Sequence, residues 1–200
     1  MKKYLLLIFM TVFSMSFGQK TLDAKIITKE NDTLNVKIKV STNAFDPNLL
    51  YVTSFNTKVT VIGEDGKKTK IEAPEIKELF LTDFNGKKRT FINKSSDQKL
   101  LMEKLYDGEN LEWYRTYSST MGGENANDFL YNKKTKKGFG FIYFTGIPKK
   151  KLKDFFSDEP EMIKLLENTD KGGGFAHTSE YDSSMLSILE KFEELKKNNK

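Results

Sequence analysis

Two dipeptides, Asp65-Gly66 and Asn85-Gly86, constrain this chain more than anything else in it, because each stands between two short runs of alternating apolar and polar residues. Such pairs fold a strand back on itself, glycine taking positive φ at no steric cost, and they predict type I′ turns with positive φ at both central positions. The flanking runs are "KVTVI" (58–62), "TKIEA" (69–73), "IKELFLTDF" (76–84) and "RTFINK" (89–94). Upstream, "TLDAKIITKENDTLNVKIKV" reads as strands Thr21–Lys29 and Leu34–Val40 joined at Asn31 and Asp32, which tolerate tight turns. "LLYVTSF" (49–55), rich in β-branched and aromatic residues, reads as a further strand. Hairpins in series make an antiparallel sheet.

The second half repeats the pattern and then changes period. Asp107-Gly108 followed by "NLEWYRTY" predicts a hairpin with Leu111, Trp113, Arg115 and Tyr117 on one face. For 97–106 a strand is expected, and a helix capped at Ser96 stays open because Leu101 and Leu105 lie four apart. Ser118–Asp128 has no apolar periodicity and reads as a loop. "FLYNKK" and "GFGFIYF" form another strand pair around Lys133–Lys137. Beyond Pro148 the spacing becomes helical: Leu152, Phe155 and Phe156 share a face, then Met162, Ile163, Leu165 and Leu166 after a cap at Ser157. A last helix starting near Asp182 or Ser183 carries Met185, Ile188, Leu189, Phe192 and Leu195 on one stripe. The expected class is α+β: an antiparallel hairpin-rich β-sheet or β-roll over 19–145, followed by two to three C-terminal α-helices over 146–200 packed on the sheet.

Residues 1–18 are expected to be a secretory signal peptide. Lys2 and Lys3 precede the apolar run Tyr4–Phe13, and Ser16 and Gly18 are small residues ahead of a cut between Gly18 and Gln19. That run is too short for a spanning helix, and no second one follows, so the processed chain is expected outside the cytoplasm, periplasmic or secreted, without a transmembrane helix. The chain has no cysteine, which excludes disulfides, thiolate metal sites and cysteine nucleophiles. Without Lys2 and Lys3 it holds 31 basic and 28 acidic residues, a balance too mild to name an anionic partner.

The motif with most apparent chemistry is "KKGFGFIYF", Lys136–Phe144, whose last eight residues fit the aromatic octamer of RNA-recognition domains. Those domains also need an aliphatic-aromatic strand with a helix between the two. The nearest candidate, "LYVTSF", lies more than eighty residues upstream with hairpins between, so no nucleic-acid partner is expected. Phe139 and Phe141 are read instead as core, with Gly138 and Gly140 admitting a close neighbour or a bend. For a hydrolytic triad only His177 is available as the base, and it follows "KGGGFA" with no nucleophile elbow in the chain. No catalytic residue, metal ligand or cofactor is nominated. The leading function is a non-enzymatic envelope or secreted binding module for an envelope protein or glycan, acting through its sheet or loops. Trp113, Tyr114 and Tyr117 are its candidate contact residues, which requires an exposed aromatic patch. The alternative is an extracytoplasmic hydrolase working on glycan or peptide through carboxylates.

The strand order, "APEIKELFLTDFNGKK" (73–88) and "KKKLKDFFSDEPEMIKLLEN" (149–168) resemble a group of exported, β-rich proteins of Bacteroidetes-type bacteria to which no activity is assigned. In that group a Pro-x-Ile-Lys turn precedes helices with a Ser-Asp-Cys-Pro-Glu-Leu step. Here Glu159 and Met162 replace its cysteine and leucine. The resemblance implies the same compartment and architecture.

Overall fold

A computed structural model describes residues 19–95, 97–121, 123–142, 146–168 and 178–198. The expected signal peptide, His177, Tyr143 and Phe144 lie outside the described residues. The fold is α+β, antiparallel strands followed by three C-terminal helices. Its contacts fall into two compact units, one of 19–102 with 119–124, the other of 103–118 with 125–198. No helix among the described residues is long and apolar enough to cross a membrane.

The first unit contains β1 (Gln19–Thr28), β2 (Thr33–Thr42), β3 (Leu50–Tyr51), β4 (Lys58–Ile62), β5 (Lys68–Glu72), β6 (Ile76–Thr82) and β7 (Lys88–Ile92). They pair in the order β7-β6-β1-β2-β4-β5, with β3 beside β2. Alternation decides the two faces. Leu22, Ala24 and Ile26 of β1 are buried while Asp23 and Lys25 are exposed, and Ile38 and Val40 of β2 are buried while Lys37 is exposed. Val59, Leu79 and Phe91 complete the inner face, and Phe55 meets Phe91 edge-on at 5.1 Å between ring centres. The strand expected over 49–55 is only Leu50–Tyr51, and Val52–Ser54 form a 3-10 turn. Ser54 explains the change: its hydroxyl donates to the Tyr51 carbonyl at 2.6 Å and accepts the Ser41 N–H at 3.0 Å, replacing ladder bonds.

The two Gly turns differ from type I′. Gly63 N–H donates to Lys67 O at 2.8 Å and Asp83 N–H to Lys87 O at 2.9 Å, enclosing three-residue loops in which Gly66 and Gly86 alone are left-handed, at φ +77° and +80°. These are type I turns closed by a glycine bulge. The Asp65 and Asp83 carboxylates favour them by accepting the Lys67 and Lys87 N–H groups at 3.0 and 2.9 Å. Asn31, at φ +70°, fills the glycine position between β1 and β2.

The second unit carries β8 (Met102–Asp107), β9 (Leu111–Thr120), β10 (Gly123–Asn132) and β11 (Gly138–Ile142), in the order β11-β10-β9-β8. Residues 102–107 are thus strand, and the helical alternative for 97–106 is set aside. The loop expected over Ser118–Asp128 is largely strand, because β9 and β10 run on to Thr120 and from Gly123. Its polar side chains hid the alternation, which survives in buried Ala126 and Asp128. Helices α1 (Lys149–Phe155), α2 (Pro160–Asn168) and α3 (Thr178–Asn198) follow. Helix α2 begins at Pro160 rather than at a Ser157 cap, since proline's fixed φ and missing N–H suit a first helical position. Helix α3 begins a turn before Asp182, which brings Tyr181 into its buried stripe with Met185, Ile188 and Phe192. These residues enclose one core with Leu111, Trp113, Leu130, Phe141, Leu152, Phe156, Met162 and Leu166.

Candidate functional site

The three aromatic residues nominated from the sequence all lie on β9, but they do not form an exposed patch. Trp113 and Tyr114 are core, at 0% and 2% exposure, and Tyr117 is half-buried with its hydroxyl donating to the Glu103 carboxylate. Strand alternation placed Trp113 inside, and its size made it the anchor of the core. Around it is a closed polar cluster. Asp128 on β10 accepts from the Trp113 indole at 3.0 Å, from Arg115 Nε and Nη2 at 2.6 and 2.9 Å, and from the Tyr181 hydroxyl at 3.2 Å. Arg115 also donates to Asp182 at 2.8 Å. Burial alone would lower Arg115, but the bonds and charge of Asp128 raise it, so the guanidinium stays ionised. Burial pushes the Asp128 carboxyl above its ordinary value, against the pull of its Arg115, Trp113 and Tyr181 donors. Donors and acceptors here satisfy one another, and their effect is to tie β9, β10 and α3 together.

A depression of about 970 Å³ crosses β7, β6, β1, β2 and β4. In its central row Leu81 pairs with both Arg89 and Ala24, and Ala24 with Val36. Ala24 and Leu81 are buried, their side chains turned to the core, so this row offers the ligand its backbone. The residues on either side of the row point the other way and form two walls. One wall is Thr90–Phe80–Lys25–Asn35, each paired with the next across four strands. The other holds the pair Lys88–Thr82 and the run Asp23–Lys37–Ile62. Glu64 lies at the β4 end. Lys25, Lys37 and Lys88 are exposed, and the Lys25 ammonium sits 6.0 Å from the centre of the half-buried Phe80 ring.

The same face continues past the trough. Ile62 pairs with Lys68, and Lys39 pairs with Thr60, which pairs with Lys70. Lys37, Lys39, Lys68, Lys70 and Lys88 form no ion pair among the described residues. No group of three or more metal-ligating side chains is present among the described residues. The arrangement presents amines, carboxylates, hydroxyls, one amide and one aromatic ring on one face. None of these side chains was nominated as a site residue from the sequence. Their signal was the lysine at every second position of "NVKIKV" and "KTK", while the register that assembles them comes from β1 pairing with β6, some fifty residues away. Comparison with protein-family models, curated proteins and solved structures finds no match.

Proposed function

We propose that the protein is an exported, non-enzymatic binding module of the cell envelope or the medium, which engages its ligand on the polar face of the first unit's sheet. The observation that carries this reading is the trough itself. Its volume suits a ligand site, its floor is backbone, and its walls mix three exposed ammonium groups with hydroxyls, an amide and a half-buried ring. The charged start, apolar run and small residues of 1–18 support export, and the resemblance to exported β-rich proteins agrees with it.

Retention of the purified protein on isolated cell envelopes tests the reading. Wild type is expected to be held, Lys37→Glu/Lys88→Glu to wash through with an unchanged melting temperature, and no sugar or peptide fragment to be released. Release of fragments that grows with protein and time would make it a hydrolase. Retention equal in wild type and variant would remove the trough from the account.

A further inference from the structure

We infer that the occupant of the trough is an acidic polysaccharide, a glycan chain bearing carboxylate or sulfate groups laid across the strands. This rests on the binding reading and names its ligand class.

Four observations converge. The trough crosses five strands, about 20 Å at the usual strand separation, and an elongated chain fits such a channel better than a compact molecule does. The unpaired cations on this face are spaced rather than clustered. Lys37 and Lys39 stand two residues apart on β2, about 7 Å, and Lys68 and Lys70 lie across β4, about 10 Å from them. Threonines and an asparagine occupy the gaps, as at Thr82, Thr90, Thr60 and Asn35. That lattice suits a ligand that carries both anionic groups and hydroxyls along its length.

Asp23 and Glu64 also line the trough. They accept hydrogen bonds from hydroxyls, of which each sugar unit of a glycan offers several and each unit of RNA a single 2′-hydroxyl, and this favours a glycan over a nucleic acid. The Lys25 ammonium lies over the half-buried Phe80 ring, 6.0 Å from its centre, which sets a cation for a carboxylate against an apolar surface. Lysine Nζ groups also act as untethered point charges, able to follow an irregular chain where a rigid fork could not.

The test is affinity electrophoresis of the purified protein through gels containing polygalacturonate, dextran sulfate, dextran or a single-stranded RNA oligonucleotide. Wild type is expected to be retarded by the two acidic glycans, with an affinity at least about tenfold above that for dextran or RNA. Lys37→Glu/Lys88→Glu should lose about tenfold on the acidic glycans, and Lys150→Glu/Lys197→Glu, the same charge change on exposed helix positions, less than about twofold. Melting curves confirm that both variants fold. Equal losses in the two variants, or RNA bound as tightly as the acidic glycans, would overturn the inference. Retardation by dextran equal to that by dextran sulfate would overturn the acidic ligand and leave the binding reading standing. No retardation in any gel, with envelopes still retaining wild type but not the trough variant, would likewise sink the glycan alone. Loss of both would end both readings.

Discussion

Asp128 is a carboxylate with almost no water, and its four donors come from three different residues. Its removal leaves the Arg115 charge buried and the Trp113 indole N–H without an acceptor. Asp128→Ala should therefore cost about 3–5 kcal/mol of unfolding free energy, read from urea denaturation. Two tyrosines give the pH dependence its sign. Burial, then the nearby charges of Glu112 for Tyr114 and Asp128 for Tyr181, raises both hydroxyls above their ordinary values. The folded chain keeps these protons after the unfolded chain has lost them, so stability should fall as pH rises past about 10. Melting temperatures across that range check the direction, and the Tyr114→Phe/Tyr181→Phe pair should flatten the slope. Lys136 offers the opposite kind of change. It holds φ +61° in the β10–β11 turn, a conformation an L side chain resists. Lys136→Gly should stabilise by about 1 kcal/mol, measured in the same denaturation series.

Strand β11 shows how alternation and close approach combine in one element. Phe141 is buried at 5%, and Phe139, half-buried, packs against Phe155 at 5.2 Å. On its other face Gly138 admits a close neighbour, whereas a Cβ on Gly140 would meet nothing nearer than the Asp128 carbonyl oxygen at 3.7 Å. A Cβ on Gly138 would sit 2.8 Å from the Phe129 ring and 2.9 Å from the Leu130 carbonyl oxygen. Gly138→Ala should cost about 1–3 kcal/mol, and Phe129→Ala should not restore it, because the carbonyl remains; double-mutant denaturation distinguishes the two contacts. What was legible in this strand was local: its period, its inward phenylalanines and the room its glycines leave. The same holds for the stripe Met185–Phe192 and for the hairpins at Gly66 and Gly86. Legibility failed where polar side chains competed with the backbone, as Ser54 does, where the Asp65 and Asp83 carboxylates selected one turn over another, and where β9 and β10 continued through residues without apolar contrast.

At the scale of the molecule, residue type alone marks Trp113, Tyr114 and Tyr117 as candidate contacts, and burial claims two of the three. Trp113 and Tyr114 are needed inside, since a chain without cysteines has no disulfides to supplement its packed core. The polar face of the first unit escaped notice because lysines on alternate strand positions read as solvated surface until register sets them side by side. Only the pairing of β1 with β6 brings Lys25 beside Phe80 and sets Lys88 two strands from Asp23 and three from its partner Lys37. The proposed meeting place of protein and ligand is this face, and lysine acylation footprinting by mass spectrometry, with and without polygalacturonate, reads it residue by residue. Lys25, Lys37 and Lys88 are predicted to be protected, while the exposed Lys134, Lys150 and Lys197 react as before. Protection that falls on the helix lysines, or is spread evenly over all six, would contradict it.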